Sequence, residues 1–103
     1  MSIGEPGQGA AACLAVEGEM TIYRAAELKP ALLDIVRTPH LSAAAPAIDL
    51  SAVTEFDSAG LQLLLLARRE AQRLGKSLTL QDASPAVREV FALLGIDLEG
   101  VSS

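Results

Sequence analysis

Apolar residues along the chain change spacing several times, and each change predicts an element. Ala10 to Val16 is a small apolar run that reads as a buried strand. Glu17-Gly18-Glu19 reads as a turn, and Met20 to Ile22 as a short returning strand, so a hairpin is expected. From Ala25 onward, Leu28, Leu32, Ile35 and Val36 recur three or four apart, the stripe of an amphipathic helix. Pro30 lacks an N–H, so the regular helix is expected to begin near Glu27, and to end before Pro39.

The second half repeats the alternation. Pro46 to Leu50 reads as a central strand, and Ser51 to Phe56 as a connection with Val53 and Phe56 pointing inward. A helix should run from Ser58 to about Leu74, with Gly75 just past its end. Leu78 to Leu80 is a further strand. Ser84-Pro85 opens a last helix, whose apolar face is Val87, Val90, Phe91 and Leu94 and whose end is capped by Gly95. Ile96 to Leu98 is expected to add a final short strand. In helix two, Leu61, Leu64, Leu65 and Ala71 can face the sheet, which places Leu63 or Leu66 nearer the surface unless another helix covers them. Strands alternating with helices give an α/β class with crossover connections. Residues 1–9, with three glycines and a proline, read as a flexible lead-in, and residues 10–103 as a single domain.

Charge and composition narrow the partners. The net charge is −5 and no basic stripe occurs, which argues against nucleic acid and against an anionic membrane surface. The aromatics are Tyr23, Phe56 and Phe91, too few for a base-stacking platform. No segment has the make-up of a signal peptide or a membrane span. A lone Cys13 in an apolar run reads as a buried small hydrophobe in a reducing compartment, hence a cytoplasmic location. One His and one Cys supply no metal set, and no cofactor is expected. His40, in an Ala/Pro loop, reads as a surface residue. Gly75-Lys76-Ser77 superficially suggests a phosphate-binding loop. That loop needs a glycine where Glu70 stands, and a strand before it instead of a helix.

The informative stretch is Asp49 to Leu66. A strand ends, and a helix opens at Asp57-Ser58. On spacing alone either residue reads as an N-cap, whose oxygen takes the first free amides of the helix. Gly60 lies in the first turn, where glycine costs about 1 kcal/mol against alanine. Its lack of a side chain either bares the Ser58 hydroxyl or allows tight packing against a neighbouring loop. An acyl-carrier reading of Asp57-Ser58 fails on the strand at Ala47 to Leu50, because those carriers are all-helical.

Taken together, Asp49-Leu50-Ser51, then Val53 and Phe56, then Asp57-Ser58-Ala59-Gly60-Leu61, resemble the signature of the STAS family of sulfate transporters and anti-sigma factor antagonists. Ser84-Pro85-Ala86-Val87-Arg88 with Phe91, Leu94 and Gly95 resembles that family's third helix. The likeness runs from Ala11 to Leu98. It implies a small mixed β-sheet of four to five strands, with helices packed mainly on one face. It also implies a regulatory protein-binding module and not an enzyme.

In the anti-sigma factor antagonist branch the serine after the aspartate is phosphorylated, which here is Ser58. The resemblance implies partner switching, with a serine kinase or anti-sigma-like protein docking around Asp57, Ser58, Ala59, Gly60, Leu61 and Gln62. The helix amides and dipole are expected to receive the phosphate while Asp57 and Glu55 repel it. Ala59 stands where sporulation-type members often carry Ser or Thr, and any fourth helix is expected to be short or missing. Other members imply an alternative, a constitutive accessory subunit of a lipid-transport ABC ATPase complex or a chemotaxis-linked adaptor.

Overall fold

The computed structural model describes residues 13–38 and 46–97. In chain order these form β1 (Cys13–Met20), α1 (Ala25–Arg37), β2 (Ala47–Phe56), α2 (Ser58–Arg73), β3 (Thr79–Gln81) and α3 (Pro85–Leu94). The strands pair in the order β1-β2-β3, and both pairings are parallel. The α/β class and helix order follow the sequence reading. Among the described residues, however, the sheet is a parallel one of three strands, where a mixed one of four to five was expected. Residues 1–9 and His40 lie outside the described residues, as do the start of the expected first strand and Leu98.

The expected hairpin at Glu17-Gly18-Glu19 is absent. The chain runs straight through as β1, and its ladder with β2 slips twice, between Ala15 and Glu17 and between Gly18 and Glu19. Each slip leaves an additional residue on β2, as a β-bulge does. Gly18 takes a φ of 78° at the second slip, a left-handed value that glycine adopts without strain. The disturbed backbone is repaired by Arg24, whose Nη1 donates to the carbonyls of Glu17 (2.6 Å) and Glu19 (2.9 Å). A glycine between two acids thus marks a bulge where a turn was expected.

The same bulges explain β2. It extends to Phe56, through the segment expected to be a connection. After Ala47, its buried residues are Ile48, Leu50, Val53 and Phe56, spaced two, three and three apart. Strict alternation from Leu50 would turn Val53 outward; one inserted residue turns it inward, and a second, between Val53 and Phe56, keeps Phe56 in the core.

Helix α1 starts at Ala25, two residues earlier than expected. Its first turn is closed on Arg24, whose carbonyl accepts the amides of Glu27 and Leu28. Pro30 lies inside the helix on the exposed side, where water can serve the carbonyl its ring leaves unbonded. Just past the end of α2, Gly75 takes a left-handed φ of 73°, with the Lys76 amide reaching back to the Ala71 carbonyl at 2.8 Å. The Lys76 ammonium, the residue of the rejected phosphate loop, donates to the carbonyls of Val36 and Thr38 and caps α1. Ser84 caps α3 as expected, accepting the Val87 amide at 3.3 Å.

All three helices and the inward residues of β1 and β2 share one core. Phe56 and Phe91 meet in it with ring centroids 6.0 Å apart. Val87 and Phe91 are buried as expected, but Leu94 is exposed. Cys13, expected to be buried, lies on the open face of the sheet with Ala15, Glu17 and Ser51. Partial desolvation and the neighbouring Asp49 push its thiol pKa up, which makes it a poor nucleophile. Among the described residues no helix is long and apolar enough to cross a membrane.

Candidate functional site

The site stands where β2 hands the chain to α2. Phe56 is the last residue of the strand and turns into the core. Asp57 is the N-cap, in extended backbone, and its Oδ1 accepts the amides of Ala59 (2.9 Å) and Gly60 (3.2 Å). Its backbone carbonyl takes the Leu61 amide at 3.1 Å. Its second oxygen, Oδ2, accepts the amide of Ile22 at 3.2 Å, from the turn between β1 and α1.

This arrangement separates two roles that the sequence left open. Asp57 does the capping, so Ser58 is released from it. Ser58 is the first residue of the helix and is exposed, and its hydroxyl has no hydrogen-bond partner among the described residues. Of the first-turn amides expected to receive a phosphate there, those of Ala59 and Gly60 are already bonded to the Asp57 carboxylate.

Gly60 has a different task from baring the hydroxyl. It is buried, and a Cβ on it would collide with the carbonyl oxygen of Met20 and sit 2.8 Å from the ring of Phe56. The first turn of α2 therefore rests directly on the end of β1, which only glycine permits. Leu61 is buried as well. Of the six residues expected to meet a partner, Ser58 and Gln62 are exposed, Asp57 and Ala59 are half-buried, and Gly60 and Leu61 support the others from inside.

Two exposed apolar residues missing from that expectation stand beside the site. Ile22 is 66% and Tyr23 88% exposed, in the turn whose backbone Asp57 holds. Ile22, expected at the end of a short strand, lies in this turn. The signal available was a pair of large apolar side chains, Ile22 and Tyr23, set between the apolar run of the first strand and the stripe of the first helix. A groove of about 390 Å³ opens next to this turn. Ile22 and Ala25 form one wall, and Ala59, Gln62, Leu63 and Leu66 form the other, with Arg69 at the far end. Leu63 is mostly covered by the packing of α1 on α2, and Leu66 is half-buried. The leucine run thus becomes an apolar floor and not a bare patch.

The surface offers association chemistry: a nucleophilic hydroxyl at a helix start, an apolar groove, and protruding aliphatic and aromatic side chains. Among the described residues no group of three His, Cys, Asp or Glu side chains could hold a metal ion.

Comparison with known proteins fits this arrangement. The family model described as "Mlab, STAS domain" matches residues 3–98. The fold is similar to the anti-sigma factor antagonist SpoIIAA in its unphosphorylated form, with a TM-score of 0.62 and 20% identity over 82% of this chain and 71% of that one. It is also similar to the STAS domain of a SulP transporter from Vibrio cholerae, with a TM-score of 0.57 and 18% identity over 82% of this chain. The chain spans 62% of that transporter domain.

Proposed function

The chain belongs to the STAS domain family, and from that membership we propose that it is a cytoplasmic regulatory module controlled by phosphorylation of Ser58. In this reading a partner serine kinase of the anti-sigma type docks on the face formed by Asp57, Ser58, Ala59 and Gln62 with Ile22 and Tyr23. The observation that carries it is the exposed hydroxyl of Ser58 next to an N-cap that has already satisfied the helix. A kinase can approach that oxygen without unwinding the helix or breaking a hydrogen bond.

The consequence follows from charge. A phosphate adds about −1.5 to −2. Asp57 and Glu55 stand beside it in sequence, and the amides of Ala59 and Gly60 are occupied. The dianion therefore stays in water and has little effect on the fold. At an interface it must lose that water, which is costly unless the partner supplies an Arg. Unmodified protein binds, and phosphorylated protein releases.

The test is to incubate the protein with its partner kinase and ATP and to map the phosphate by mass spectrometry. Phosphate on Ser58 supports the reading; modification elsewhere, or none, defeats it.

A second reading is a constitutive accessory subunit of a lipid-transport ATPase complex, or a chemotaxis-linked adaptor. It is favoured by the breadth of the apolar face, since Ile22, Tyr23 and the groove exceed what access to one hydroxyl requires. A stable complex with an ATPase, indifferent to Ser58→Asp, would select it.

A further inference from the structure

The groove beside Ser58 has a polarity of its own. Its walls are apolar or neutral from Ile22 to Leu66, and it ends at Arg69. Arg24, Arg37 and Arg73 are engaged in ion pairs. Arg37 and Arg73 both hold Glu70, at 2.7 and 2.8 Å, and Arg24 holds Glu27 at 3.1 Å. Arg69 is exposed and has neither an ion pair nor a side-chain hydrogen bond among the described residues. In a chain of net charge −5 an unpaired cation at the end of an apolar groove is out of keeping with its surroundings. At the opposite end the Asp57 carboxylate is taken up by the amides of Ile22, Ala59 and Gly60. The face is therefore an apolar strip with a cation at one end.

On the premise that this face is the docking surface, we infer that the groove receives an amphipathic helix of the partner protein with a carboxylate set on Arg69. The lining is made of side chains from a turn and two helices and offers no free strand edge, so addition of a partner strand has nothing to pair with. From Ser58 to Arg69 the α2 axis extends about 16 Å, three turns. A partner helix of similar length can lay an apolar stripe at i, i+3 or i+4, and i+7 along Leu63 and Leu66. Its terminal Asp or Glu then meets the guanidinium. The reverse orientation would leave Arg69 without a partner, so the guanidinium fixes the direction of docking as well as the register.

A displayed library of 16-residue helices, with a fixed leucine stripe and randomised ends, provides the probe. Selected on the native protein, it should enrich Asp or Glu at one end. The enriched peptide should bind Arg69→Glu about fivefold or more weakly, an exposed-pair effect. A version with Lys at that end should regain affinity for Arg69→Glu. Circular dichroism checks that the variant is folded. Failure to enrich acidic ends, or binding unchanged by Arg69→Glu, overturns the inference. The same peptide measured on Ser58→Asp separates the two claims. Equal binding there counts against control by Ser58 and leaves the groove assignment standing.

Discussion

Asp57 and Ile22 are 35 positions apart, yet the Asp57 carboxylate accepts the Ile22 amide at 3.2 Å. One side chain thereby caps α2 and fixes the turn that displays Ile22 and Tyr23. Replacement by alanine should cost about 1 kcal/mol of stability for the lost cap. It should also loosen the turn. Amide hydrogen exchange at Ile22 should rise by more than the global destabilisation explains. Exchange at Ile22 that tracks the global loss alone would show that the contact is incidental.

Gly60→Ala should destabilise the protein by about 1–3 kcal/mol, the usual cost of forcing atoms into a filled site. The new methyl meets backbone at Met20 and an aromatic ring wedged against Phe91, neither of which can yield easily. Urea unfolding with an unchanged slope and a lower midpoint is the expected record.

Ser58→Asp should leave stability within about 0.5 kcal/mol of the native protein, because the position is exposed and its hydroxyl holds no structural bond. A large drop in melting temperature would mean that the serine has a structural role that the geometry lacks.

Glu70 is held by two guanidinium groups, and its hydrogen bonds to Arg73 and then Arg37 lower its pKa from 4.5 to about 2. A carboxylate with a depressed folded pKa contributes stability that is present above its unfolded value. That contribution is lost as pH falls from about 4.5 toward about 2. Glu70→Gln should therefore flatten the decline of stability in that acid window and leave the slope near neutrality unchanged. Chemical denaturation at stepped pH measures it.

Much of this was legible from the chain. Ser84-Pro85, Gly75 and Gly95 set the helix ends because capping is local chemistry. The apolar stripe of α1 did the same for its buried face. What failed required knowledge of neighbours. Gly18 looks the same in a turn and in a bulge, and only the pairing with β2 decides. Val53 and Phe56 point inward as expected, but from a strand and not a connection, because the inserted residues break the alternation that would have announced it. Gly60 left open whether it bares Ser58 or allows tight packing, and the carbonyl of Met20, brought close by the fold, decides for packing. The motif at Asp57-Ser58 located the site. It could not divide capping from exposure between the two residues, nor bring Ile22, Tyr23 and Arg69 to the same face.

The decisive measurement is the affinity of the partner kinase for the protein with and without phosphate on Ser58, by isothermal titration. Unmodified protein should bind, and the phosphorylated form should bind at least tenfold more weakly, with circular dichroism the same for both. Equal affinity for the two forms would contradict control through Ser58.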